Sequence, residues 1–107
     1  MEFRIEGINI ISEDFGSSYD DFWVNAEVDI SKAQDHGAET FSFNIVSIER
    51  LKRVAESGPI SGRGLIICKG YYDQNMIRNI IENLLKKING KTWKEFCLEF
   101  EKYFEYV

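Results

Sequence analysis

Residues 22–31 read FWVNAEVDIS. Phe22, Val24, Ala26, Val28 and Ile30 alternate with Trp23, Asn25, Glu27, Asp29 and Ser31. Successive side chains of a strand point to opposite faces, so this spacing predicts a β-strand with one apolar and one polar face. A strand that is wet on one side belongs to an antiparallel sheet. Downstream, residues 39–47 (ETFSFNIVS) alternate again, with Phe41, Phe43 and Ile45 facing in. Residues 32–38 connect the two, and the pair reads as a hairpin with a longer loop. Upstream, Phe3-Arg4-Ile5-Glu6 reads as a short first strand, with Gly7 permitting a bulge. Residues 12–21 (SEDFGSSYDD) are rich in turn formers and read as a loop.

Past the hairpin the period changes from 2 to 3.6. Ser47 is placed to cap a helix over residues 48–57, with Ile48, Leu51, Val54 and Ala55 as its apolar stripe. Gly58-Pro59 stops it. Leu65-Ile66-Ile67-Cys68 is a continuous apolar run, expected to be a central strand covered on both faces. Asp73 is placed to cap a long helix to about residue 89, with Met76, Ile77, Ile80, Ile81, Leu84, Leu85 and Ile88 along one face, and Gly90 suits its C-terminal end. Thr92 and Glu95 form a capping box opening a third helix, with Trp93, Phe96, Cys97, Phe100 and Phe104 as its buried stripe. The expected fold is α+β and two-layered: a mostly antiparallel four-stranded sheet covered by helices, in the order β-β-β-α-β-α-α.

The 107 residues suffice for one hydrophobic core and not for two, so residues 1–107 are expected to form a single domain. Hydrophobic residues make up 44% and charged residues 29%, a globular balance that excludes global disorder. No apolar run approaches the roughly 20 residues needed to span a bilayer, and the start MEFRIEGINI lacks the features of a signal peptide. Cys68 and Cys97 sit in apolar runs with no metal-ligand spacing, and read as buried thiols of a protein in the reducing cytoplasm.

Charge is segregated along the chain. Residues 1–40 hold ten acids against Arg4 and Lys32, a net of −8. Residues 50–94 hold ten bases against three acids, a net of +7. Two arrangements fit this pattern: separate acidic and basic surfaces, or two halves side by side that neutralise each other.

Reactive constellations are missing. Proton-transfer or nucleophilic catalysis needs a tuned base and an orienting partner. The single histidine, His36, lies in a polar loop beside Asp35. Residues 58–64 (GPISGRG) are glycine-rich, but the order helix, loop, strand is the reverse of a phosphate loop. The paired carboxylates Glu13-Asp14, Asp20-Asp21 and Glu27 with Asp29 have neither the burial of a glycosidase pair nor the spacing of a calcium loop. The cations Arg50, Lys52, Arg53, Lys86, Lys87, Lys91 and Lys94 belong to a chain of net charge −5 that nucleic acid would repel. No enzyme, metal, cofactor, nucleic acid or membrane is therefore expected. Protein binding remains, and aromatics interleaved with acids suit it. The candidate contact residues are Asp14, Asp20, Asp21, Trp23, Glu27 and Asp29.

The chain also resembles family 8 of the immunity proteins of bacterial polymorphic toxin systems. The resemblance rests on the opening MEFRIEGI, the strand FWVNAEVDIS, and ETFSFNIVS running directly into a helix. GRGLIICKGYYD, a long helix, and GKTWKEF complete it. It implies a dedicated inhibitor that binds the C-terminal toxin domain of a surface effector, such as a contact-dependent growth inhibition protein, as a one-to-one heterodimer. Toxins of such systems are commonly cytoplasmic nucleases, and an acidic surface suits the phosphate-binding cleft of one. The alternative is a small acidic adaptor or regulatory module with no toxin partner.

Overall fold

The computed structural model describes residues 3–32, 37–59, 64–88 and 92–106. Strands β1 (Phe3–Phe15), β2 (Phe22–Lys32) and β3 (Ala38–Ser47) form an antiparallel meander. Helix α1 (Ile48–Ala55) then crosses over to β4 (Leu65–Cys68), which runs parallel to β3. Helices α2 (Gln74–Ile88) and α3 (Trp93–Phe100) follow, and β5 (Glu105–Tyr106) returns antiparallel to β3. The sheet order is β1-β2-β3-β4, and β5 shares with β4 the outer edge of β3. This is the expected α+β fold with a mostly antiparallel sheet and the expected element order.

Three local expectations are corrected. The first strand is 13 residues long rather than four, and it carries Glu13 and Asp14, which the sequence assigns to a loop. Its pairing with β2 shifts between Ile5 and Gly7 and again between Ile10 and Ser12. Each shift inserts one extra residue, Glu6 or Ile11, and each resets the alternation of faces. β4 is not central. It has β3 on one side only, and Ile67 is 50% exposed. Its apolar run arises because Ile66 and Cys68 pack on the core while Leu65 and Ile67 face the other way. The sheet has five strands rather than four: β5 carries no sequence signal, since two residues show no period.

The core lies between one sheet face and helices α2 and α3. Ile77, Ile81, Leu85 and Ile88 of α2 are buried at helical spacing. Phe96, Phe100 and Phe104 recur every four residues and stack, with ring centroids 5.0 and 4.1 Å apart. β3 meets this ladder edge-on: Phe41 against Phe100 at 4.6 Å and Phe43 against Phe104 at 5.1 Å. Offset stacking and edge-to-face contact are the favoured aromatic geometries. The caps form as read. Ser47 Oγ accepts from the Arg50 amide and also from the Phe22 amide, so one hydroxyl starts α1 and anchors β2. Thr92 Oγ1 accepts from Glu95 N at 3.2 Å, and Asp73 Oδ1 from Asn75 N at 2.9 Å. Gly90 and His36 lie outside the described residues.

The acidic and basic segments meet at the end of the sheet. Arg50 is only 5% exposed. Its Nε donates to Asp21 Oδ1 at 2.5 Å, and its Nη1 to Asp14 Oδ2 at 3.0 Å. Arg53 adds two bonds of 3.2 Å to the Asp21 carboxylate. Asp21 presses against Gly16 so closely that a Cβ there would lie 2.2 Å from Asp21 Oδ2. Glycine is required at that position by space rather than by backbone angle.

Two predictions follow from these contacts. Phe100→Ala removes a ring packed against Phe41, Phe96 and Phe104, and should lower the unfolding free energy by about 3–5 kcal/mol in urea titrations. Hydrogen bonds from Arg53, and then from Arg50, hold the Asp21 carboxyl below its ordinary pKa. The native state therefore binds fewer protons at this site than the unfolded chain. Its contribution is complete above about pH 4 and is lost as the pH falls through the lower folded value. Asp21→Asn should be less stable than the native chain at pH 7, and the gap should narrow as the pH falls below about 4, read from urea midpoints across that range.

Candidate functional site

The second face of the sheet has the composition of a binding surface. Cross-strand partners share a face. Asp14 opposes Trp23, Ser12 opposes Asn25, and Asn9 opposes Glu27 across β1 and β2. Across β2 and β3, Trp23 opposes Val46, Asn25 opposes Asn44, Glu27 opposes Ser42, and Asp29 opposes Thr40. Ser42 also pairs with Glu105. None of these residues belongs to the core cluster that α2 and α3 cover. Helix α1 closes one end of the face: it contacts β2, β3 and β4, and Val46 there is fully buried. Beyond it Asn9, Ser12 and Asp14 of β1 are exposed, Asn25, Glu27 and Asp29 of β2 are half-buried, and Ser31 is buried.

Polar contacts organise this face. Trp23 Nε1 donates to Asn44 Oδ1 at 3.0 Å, and Asn25 Nδ2 donates to the same oxygen at 3.1 Å. Trp23 is half-buried and tethered through its indole nitrogen to Asn44. Asp29 Oδ1 accepts from Thr40 Oγ1 at 2.6 Å. Glu6, at the first bulge, accepts from Ser31 Oγ and from Arg4 Nε, and these bonds, Ser31 first, lower its pKa. The face carries five carboxylates, on Glu6, Asp14, Glu27, Asp29 and Glu105, against the guanidiniums of Arg4 and Arg50. Glu27 has no ion pair among the described residues.

Of the six residues singled out in the sequence, the structure brings four together. Trp23, Glu27 and Asp29 lie in one row on β2, and Asp14 faces Trp23 from β1. Asp20 stands apart in the β1–β2 turn, where it accepts from Ser18 Oγ. Asp21 is turned inward to Arg50 and Arg53. Sequence reasoning missed Glu6, Asn44 and Glu105. The Arg4–Glu6 alternation hints at Glu6, and nothing in the sequence marks Glu105.

The described residues offer little chemistry of other kinds. No three or more of their His, Cys, Asp and Glu side chains are gathered as a metal would need. Cys68 and Cys97 are unpaired and half-buried, and burial raises both thiol pKa values, away from the thiolate that a nucleophile requires. His36 and Arg63 lie outside the described residues. No described helix is long and apolar enough to cross a membrane.

No curated protein and no solved structure matches the chain. A family model does, over residues 5–106: every described strand and helix of the fold lies within or at the edges of that match, and the chain belongs to the family described as Immunity protein 8.

Proposed function

We propose that this immunity protein, acting as a single domain over residues 1–107, neutralises the C-terminal nuclease domain of a cognate toxin in the cytoplasm by laying its open sheet face over the toxin's substrate cleft. The observation that carries this reading is the excess of carboxylates on a face that α2 and α3 leave uncovered. A nuclease holds phosphates in a positive cleft. Carboxylates on a rigid sheet offer that cleft a competing anion and accelerate encounter. The one-to-one complex would bury about 1,600 Å² in total. Trp23 is the natural anchor, because tryptophan carries a large share of interface energy when surrounded by water-excluding neighbours. No catalytic group, metal or cofactor is needed for inhibition of this kind.

The placement of Asp21 refines the test. Its carboxylate holds Arg50 and Arg53, so changing it would disturb the fold as well as the surface. Glu27→Lys with Asp29→Lys changes the face alone. The partner to use is the toxin domain encoded immediately upstream. The double variant should keep its melting temperature within a few degrees, slow association by about 10- to 1,000-fold at low salt, and fail to protect cells expressing the toxin. Association at the native rate, with protection retained, would place the toxin on another surface.

A further inference from the structure

Seven large hydrophobic residues stand exposed among those described, and four of them gather at one end of the sheet. Tyr19, 69% exposed, belongs to the β1–β2 turn; Tyr71, 72% exposed, to the segment between β4 and α2. Ile48 opens α1, and Ile67 lies on β4. Ile48 and Tyr71 help to line a cleft of about 350 Å³, together with Asp20, Glu49, Lys52 and Lys69; Tyr19 precedes Asp20 in the chain, and Ile67 lies two residues before Lys69. Its charges are balanced, two acids against two bases, with Lys52 Nζ 3.8 Å from Glu49. The neighbouring sheet face is acidic, so this cleft is a separate kind of surface.

The cleft is also held in shape. The Tyr72 amide donates to the Tyr19 carbonyl at 3.4 Å, joining the two segments that carry the exposed tyrosines. Beneath them Phe15 meets Tyr19 and Tyr72, each at 5.6 Å, and Phe22 meets Tyr72 at 5.5 Å. The Asp21–Arg53 pair fastens the turn to α1. Tyrosine gives a large amphipathic contact for two rotatable angles, so ordering this cluster on binding costs little. Finally, the cleft continues the open face. Trp23, Val46 and Ile67 are cross-strand neighbours in turn, and the chain runs from Ile67 directly to Lys69 and Tyr71.

We infer that this cleft is the specificity anchor of the toxin interface: it receives one uncharged apolar side chain, aliphatic or aromatic, from the same toxin domain that the acidic face attracts. The inference rests on the sheet-face reading above and adds a division of labour to it. The carboxylates act at long range and set the rate of encounter. The tyrosine cleft acts only on contact, by shape and desolvation, and sets how long the complex lasts. A neutral cleft suits an apolar occupant, because a charged side chain would lose hydration there with no net opposite charge to replace it.

Two sets of variants separate the inference from the reading on which it rests. Tyr19→Ala with Tyr71→Ala should raise the dissociation rate by about 30-fold, as loss of an interface hot spot does, while association and its salt dependence stay native. Glu27→Lys with Asp29→Lys should slow association instead. Both are measured by surface plasmon resonance on the upstream-encoded toxin domain, with circular dichroism verifying the fold. If the tyrosine variant dissociates within twofold of the native rate while the charge variant binds slowly, the cleft inference is overturned and the sheet-face reading stands. If only the tyrosine variant is weakened, the cleft stands as an anchor and the sheet-face reading falls. If both bind as the native chain does, or if no complex forms with this domain, both are overturned.

Discussion

A guanidinium removed from water must have its charge and its donors answered, or the site it occupies is not stable. Arg50 meets that constraint by drawing three parts of the chain to itself. Asp14 comes from the end of β1, Asp21 from the turn before β2, and the arginine itself from the first turn of α1. Ser47 works alongside, binding the amides of both Phe22 and Arg50. The end of the sheet, the start of the crossover helix and the β1–β2 turn are therefore one unit. The exposed tyrosines and Trp23 are built on that unit, so the geometry of the surface depends on a charge cluster whose arginine is buried and whose Asp14 lies at the edge of the open face.

The two sheet faces divide the remaining work. One is sealed by the phenylalanine ladder of α3 and the isoleucines of α2, and supplies the burial that holds the fold together. The other has Asn25, Asn44 and Trp23 joined through a single amide oxygen, with carboxylates around them. A sheet backed by a packed core bends little. Side chains on its outer face are held near one geometry without ordering on contact, which reduces the entropy lost when a partner binds. An inhibitor gains from this more than an enzyme that must open and close.

Much of this was legible in the sequence, for reasons that can be named. β2 and β3 are unbulged, so period 2 survives from Phe22 to Ile30 and from Phe41 to Ile45. The helices announce themselves through Ser47, Asp73 and Thr92, whose side chains satisfy backbone amides in the structure. β1 was misread because two extra residues break its alternation, and an alternation rule has no way to count through a bulge. β4 was misread because an apolar run looks the same whether two layers cover it or one. Of the candidate contact residues, Trp23, Glu27 and Asp29 share a face because a strand obliges every second residue to do so. Asp20 and Asp21 are adjacent in a turn, and sequence has no rule for which of two turn acids faces inward. Here the partner, Arg50, lies 29 residues away.

That last point changes what the charge count means. The first 40 residues hold a large acidic excess, and an unfolded reading spreads it over the whole segment. In the folded chain Asp14 and Asp21 are spent on Arg50 and Arg53, and Glu6 is held by Arg4 and Ser31. The acids without an arginine partner on this face are a smaller set, with Glu27 and Asp29 half-buried and Glu105 exposed. Steering decays over a Debye length, about 8 Å at physiological salt, so it reports the charge that remains on a surface after internal pairing. A cleft whose two acids and two bases balance has no such reach and discriminates only at contact. On the proposed reading, a surface that joins the two would draw in many cationic clefts and retain the one whose apolar projection fits.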